Sequence, residues 1–340
     1  MGARAFLTGI SGLTLTSEER GFLREARPWG FILFKRNIDN PEQITDLVKE
    51  FRDTIEFAEA PVLIDQEGGR VQRLAPPHWP AYPAGAVFGA LYDGDTRAGL
   101  RAAWLSARLI AADLAALGIT VDCLPLADVP VAGADAVIGD RAYGTTPDKV
   151  AAIARAVAEG LAAGGVLPVV KHIPGHGRAT ADSHHRLPVV ETVAADLEQT
   201  DFAAFRPLAD LPMAMTAHVV FSAIDAAQPV TTSATMIQQV IRNGIGFQGL
   251  LMSDDVSMNA LSGSIADRSR AAIAAGCDVV LHCNGKLDEM RAVADAVPDL
   301  AGPALARAER ALAARRPAQP FDAVAGRAEL DGLIAGVRLA

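Results

Sequence analysis

Eight short apolar runs, each followed by a stretch of helical or loop character, recur along this 340-residue chain, and their spacing constrains the fold more than any other feature. They cover residues 6–10, 30–35, 61–66, 119–126, 166–172, 213–218, 249–255 and 278–283. Most are continuously apolar instead of alternating, the pattern of parallel strands buried on both faces. Between them lie amphipathic or Ala-rich segments, among them 97–117, 147–163, 193–209 and 264–275. Strands alternating with helices imply an α/β fold with a parallel sheet. A doubly wound open sheet would share that alternation. Eight repeats, and a length inside the range of about 200 to 400 residues usual for (β/α)8 barrels, favour a closed TIM-type barrel.

Asn40 before Pro41 reads as a helix N-cap followed by proline at the first helical position, and Gly118 and Gly276 read as helix stops. No linker or low-complexity stretch divides the chain. A single barrel domain over residues 1–340 is therefore expected, with the Ala/Arg-rich residues from about 301 to 340 forming a helical extension packed on it.

The placement of polar residues favours the closed barrel. Active sites of this fold sit at the C-terminal ends of the strands, and four of the predicted strands end in ionisable groups. The third ends in Asp65-Gln66-Glu67-Gly68-Gly69-Arg70 with Arg73 close behind, the fifth in Lys171-His172, the sixth in His218 and the seventh in Asp254-Asp255. An open sheet would concentrate ligand groups at one switch point. A ring of strands ending in charges instead suits one central pocket.

Asp254 follows a buried strand and would be held on rigid backbone, as a carboxylate nucleophile of a retaining glycosidase requires. The competing reading makes the pair a cap for the next helix, and Asp255 fits that better than Asp254. Residues 171–190 hold four histidines in a polar loop. Asp182 stands two residues before His184 and could orient its ring, giving an acid/base dyad. A zinc reading of His172, His176, His184 and His185 finds no HExxH or other tight ligand spacing, so no metal and no cofactor is expected. Asp65, Arg73, Arg141, Lys171 and His172 are suited to charge-assisted hydrogen bonds with sugar hydroxyls.

A net charge of -9 and a pI near 5.3 argue against a nucleic-acid partner. The three cysteines, Cys123, Cys277 and Cys283, have no metal-type spacing and are expected as buried thiols. Without a signal-type segment or an uninterrupted run of 18 apolar residues, a cytoplasmic protein with no membrane partner is expected.

Four runs, residues 63–74 (LIDQEGGRVQRL), 138–143 (IGDRAY), 171–188 (KHIPGHG with DSHHRLP) and 249–258 (GLLMSDDVSM), resemble glycoside hydrolase family 3, in particular its single-domain bacterial β-N-acetylhexosaminidases of peptidoglycan recycling. The resemblance spans about residues 5 to 300. It implies that Asp254 is the nucleophile, His184 the acid/base with Asp182 as partner, and Asp65, Arg73, Arg141, Lys171 and His172 the substrate contacts. The implied substrate is N-acetylglucosamine linked to 1,6-anhydro-N-acetylmuramic acid, with or without peptide, and a monomer acting on that small glycan or muropeptide is expected. Ile173, where an aromatic residue is common, and Val256 depart from the family pattern without touching the chemistry. Three alternatives stay open at this point: transfer of the sugar to phosphate, a Schiff-base aldolase using Lys171, and a sugar-binding module without catalysis.

Overall fold

The computed structural model describes residues 2–337. Its centre is a closed barrel of eight parallel strands: β1 Arg4–Thr8, β2 Pro28–Leu33, β3 Val62–Ile64, β4 Val121–Asp122, β5 Leu167–Ile173, β6 Met213–Thr216, β7 Leu250–Asp255 and β8 Val279–His282. Neighbours in the barrel are neighbours in sequence, and β8 closes onto β1 with Phe6 opposite Val280. The continuous apolar runs are explained by this closure. Side chains on one face fill the barrel and those on the other pack under the helices, so every residue of β2 and β5 is buried.

The helices are α1 Ser17–Ala26, α2 Pro41–Ile55, α3 Gly85–Gly94, α4 Thr96–Ala116, α5 Pro147–Ala163, α6 Ala194–Gln199, α7 Asp201–Phe205, α8 Ile265–Ala275, α9 Leu287–Ala296, α10 Gly302–Ala313 and α11 Ala323–Ile334, with a wider π-type helix at Met236–Ile245. Local chemistry sets their ends. The Asn40 side chain accepts from the Gln43 amide ahead of Pro41, and Ser264 forms a capping box with Asp267. Gly276 ends α8 at φ 115°, a left-handed conformation that glycine adopts without penalty.

Two expected elements differ. The fourth strand keeps only two ladder residues, because Pro125 has no N–H to donate and the chain rejoins the barrel through an isolated bridge from Leu126 to Lys171. The helix expected over 193–209 is broken at Thr200, whose ψ of -85° is not helical and whose hydroxyl bonds back to the Asp196 carbonyl at 2.6 Å.

The C-terminal helices are tied on by Arg side chains. Arg307 of α10 and Arg242 both grip the buried Asp278 carboxylate at the start of β8. Arg101 of α4 makes a bidentate pair with Glu329 of α11. Cys123, Cys277 and Cys283 are buried and free. Among the described residues, no helix is long and apolar enough to cross a membrane.

Candidate active site

Beyond β3 the chain forms a short hairpin, Gln66–Gly68 against Val71–Gln72, and Gln66 fixes its shape. Its amide oxygen accepts from the Arg73 and Leu74 N–H groups, both at 2.9 Å, while its NH2 donates to the Leu74 carbonyl. The hairpin thereby delivers Asp65, Glu67 and Arg73 to the mouth of the barrel. Gly68, at φ 94°, makes the turn possible, since a Cβ there would lie 2.3 Å from the Pro83 carbonyl.

These residues join a chain of alternating charge. Arg73 bonds Asp65 at 3.1 Å, Asp65 bonds the Lys171 ammonium at 2.9 Å, Lys171 reaches Glu67 at 2.6 Å, and Glu67 takes a bidentate grip from Arg141 at 2.8 and 2.9 Å. Burial alone would push both carboxyls up, but the Lys171 ammonium with Arg73 or Arg141 overrides it. Asp65 is held well below the usual carboxylate range, and Glu67 at about 2. By the same balance Lys171, which burial would lower, is raised by Asp65 and Glu67. Arg141 sits on the loop after β4, which Arg70 holds through Asp140 and the carbonyls of Ala136 and Val137.

At the end of β5, the wholly buried Asp128 orders the next residues. Its Oδ2 pairs with His172 Nδ1 at 2.7 Å, and its Oδ1 accepts from the His176 amide at 2.6 Å and the His172 amide at 3.3 Å. Burial favours a protonated Asp128, but the two histidines outweigh it and lower its pKa. The ionised carboxylate can only accept, so the His172 hydrogen sits on Nδ1 and Nε2 is left for a ligand.

Asp254 ends β7 with its Oδ1 accepting the Asp255 amide at 2.7 Å. Burial raises its pKa, yet His218, His172, that amide and His184 together bring it below the ordinary aspartate value. The carboxylate is kept ionised. Asp255 turns away into its own loop, accepting from the Ser257 amide and hydroxyl and from the Cys283 amide. His218 has both ring nitrogens engaged, donating Nε2–H to the Asp255 carbonyl at 3.0 Å and meeting the Thr231 hydroxyl at 2.7 Å through Nδ1. Burial lowers its own pKa, and it lies beside Asp254 with no ring nitrogen left free.

Asp182 and His184 meet in the loop after β5: Asp182 Oδ1 bonds His184 Nδ1 at 2.7 Å and its amide at 2.9 Å. Burial would raise the Asp182 carboxyl, but these His184 contacts and His185 lower it. Since the carboxylate takes the Nδ1 hydrogen, His184 Nε2 is the nitrogen available for proton exchange.

Asp65, Arg73, Arg141, Lys171, His172, Asp182, His184 and Asp254 all line one cleft of about 290 Å³ over the barrel axis. That lies near the small end of the range for small-molecule sites, about 300 to 1,000 Å³. Sequence pattern did not single out Glu67, Asp128 or Ser183. Glu67 carries a signal, as a second acid at the same strand end, whereas Asp128 stands between Ala127 and Val129 with no second polar group beside it. Among the described residues no group of three or more His, Cys, Asp and Glu side chains is placed to hold a metal ion. A Schiff base needs a neutral amine, and Lys171 between two carboxylates is held as ammonium.

Residues 10–314 match the model of the glycosyl hydrolase family 3 N-terminal domain. A β-hexosaminidase of Bordetella avium is 38% identical over 284 residues, covering 82% of this chain and 80% of its own length. One of Alkalilimnicola ehrlichii is 40% identical over 285 residues, with 82% and 80% covered. The crystal structure of NagZ from Neisseria gonorrhoeae in complex with N-trifluoroacetyl-D-glucosamine superposes with a TM-score of 0.87 at 32% identity, covering 98% of this chain and 99% of that one.

Proposed function

The chain belongs to glycosyl hydrolase family 3 and is a glycoside hydrolase, and from that premise we propose that it is a retaining β-N-acetylglucosaminidase. Its substrates are peptidoglycan fragments, from which it removes the terminal N-acetylglucosamine linked to 1,6-anhydro-N-acetylmuramic acid, with or without peptide. Its place is cell-wall recycling in the cytoplasm. The observation that carries the reading is an ionised carboxylate, Asp254, in the same cleft as a carboxylate-oriented imidazole, the Asp182–His184 pair. The β-hexosaminidase relatives and the aminosugar analogue bound by the gonococcal protein support the choice of sugar.

In this mechanism Asp65, Arg73, Arg141, Lys171 and His172 hold the sugar hydroxyls, and ionised partners make those bonds stronger than neutral ones. An Asp254 oxygen attacks the anomeric carbon as its bond to the leaving oxygen breaks. His184 Nε2–H gives its proton to that oxygen. Water then attacks the glycosyl-aspartate, His184 takes the water's proton, and the product keeps the β configuration. The two steps pass the proton through one nitrogen and leave the enzyme unchanged.

A 2- or 5-fluoro glycosyl probe of the N-acetylglucosamine series should label Asp254; peptide mapping that places the label on another carboxylate would sink the assignment. A neutral base also repels an anionic acceptor less than a second carboxylate would, which favours phosphate as an alternative acceptor. Turnover of a muropeptide disaccharide with and without phosphate separates the two, because phosphorolysis yields a sugar 1-phosphate and hydrolysis the free sugar.

A further inference from the structure

Ser183 is buried directly before an exposed stretch, residues 184–187. Its neighbours His184 and His185 have side chains 61% and 81% exposed, while Ser183 is 3% exposed. The Ser183 hydroxyl points inward and meets His176 Nε2 at 3.1 Å. His176 is itself 3% exposed, and its amide is fastened to Asp128, the carboxylate that also orients His172. From the opposite side, the Ala260 amide in the loop after β7 donates to the Ser183 carbonyl at 3.2 Å. No step of the mechanism above uses His176 or Ser183, yet both line the cleft.

Burial leaves His176 neutral, with its pKa lowered to about 4. Nδ1 has no hydrogen-bond partner among the described residues, so the tautomer bearing hydrogen on Nε2 avoids a buried unpaired N–H, and His176 donates to the Ser183 oxygen. A buried ring whose amide is fastened to Asp128 therefore grips the buried Ser183 hydroxyl, next to the exposed imidazole of His184.

We propose that His176 and Ser183 form a latch, a pair of positioning residues that hold His184 where it can protonate the leaving oxygen above Asp254. The proposal rests on the reading of His184 as the acid. Proton transfer requires heavy atoms within hydrogen-bond reach, and a misplacement of about 1 Å can reduce a rate about 100-fold. Asp182 orients the ring but rides on the same loop, so it cannot fix that loop relative to β7. The Ala260–Ser183 backbone bond ties the loop to the β7 side, and the latch adds a side-chain tie to the turn after β5, the strand that carries Lys171 and His172.

The test compares kcat/KM, which reports cleavage of the glycosidic bond, across aryl N-acetylglucosaminides of graded leaving-group acidity and the natural disaccharide. Ser183→Ala should lose about tenfold on the disaccharide, the size of one hydrogen bond, and little on the most activated aryl group, with a melting temperature lowered by only about 1 to 4 °C. His176→Phe should show the same dependence on leaving group. Ser183→Thr, which keeps the hydroxyl, and His176→Gln, whose amide can donate in place of Nε2, should restore most of the loss. His184→Ala serves as the reference and should show the steepest dependence. A steep His184→Ala with a flat Ser183→Ala would overturn the latch alone. A flat His184→Ala would overturn the acid assignment, and the latch with it.

Discussion

Replacing Glu67 with glutamine keeps the side-chain shape and removes one negative charge from the middle of the chain that links Arg73, Asp65, Lys171, Glu67 and Arg141. Burial works against the Glu67 carboxylate, and Lys171 and Arg141 more than compensate, taking its pKa from 4.5 to about 2. At about 1.4 kcal/mol for each tenfold change in proton affinity, the ionised form contributes about 3 kcal/mol to stability at pH 7. Removing one partner of a buried ion pair has a similar measured cost, about 3 to 5 kcal/mol. Because the folded-state pKa is depressed, this stabilisation is complete above the unfolded value and fades as pH falls towards about 2. With an unfolding entropy of about 2 cal/mol/K per residue over 340 residues, Glu67→Gln should lower the melting temperature by about 4 °C at pH 7. Scanning calorimetry at pH 7, 5 and 3 should find the same gap at the first two and roughly half of it at the third. A gap below about 1 °C at pH 7, or one that does not narrow in acid, would refute the coupling of Glu67 to its two cations.

Three further outcomes can be checked with the same preparations. Gly68→Ala forces a side chain into a left-handed turn and against the Pro83 carbonyl; the hairpin carrying Glu67 and Arg73 should shift, lowering kcat/KM on an aryl N-acetylglucosaminide about 100-fold. Tyr82→Phe removes the hydroxyl that donates to Asp113 at 2.6 Å, and a thermal melt should register a loss of about 1 to 3 kcal/mol. Burial lowers the His176 pKa from 6.5 to about 4, so its contribution is present above the unfolded value and lost as pH falls through that window. His176→Asn should therefore show a shallower fall in melting temperature between pH 6.5 and 4 than the wild type, and an identical slope would refute a buried neutral ring.

Much of this architecture is legible along the chain because the signals are local. A strand buried on both faces has to be largely apolar, and β2, the first four residues of β5 and the first three of β7 are. A helix start needs an acceptor for its free amides, and Asn40 and Ser264 supply one. The break at Thr200 was not legible, since a hydroxyl that bonds back to a carbonyl can also sit in an intact helix. Asp255 and His218 show the same limit within the site. Both lie at or just past strand ends, but one fastens its own loop and the other spends both nitrogens on neighbours.

The sequence by itself determined the alternation of strand and helix, the count of eight, and the list of reactive side chains at the strand ends. Only the tertiary structure decided which of those groups pair. Lys171 and Asp65 are 106 residues apart, Arg141 and Glu67 are 74, and His172 and Asp128 are 44. Closing the barrel brings the strand ends around one axis, and a proton's affinity for a side chain depends on distances of a few ångströms through space and on the water excluded there. Neither quantity is carried by separation along the chain.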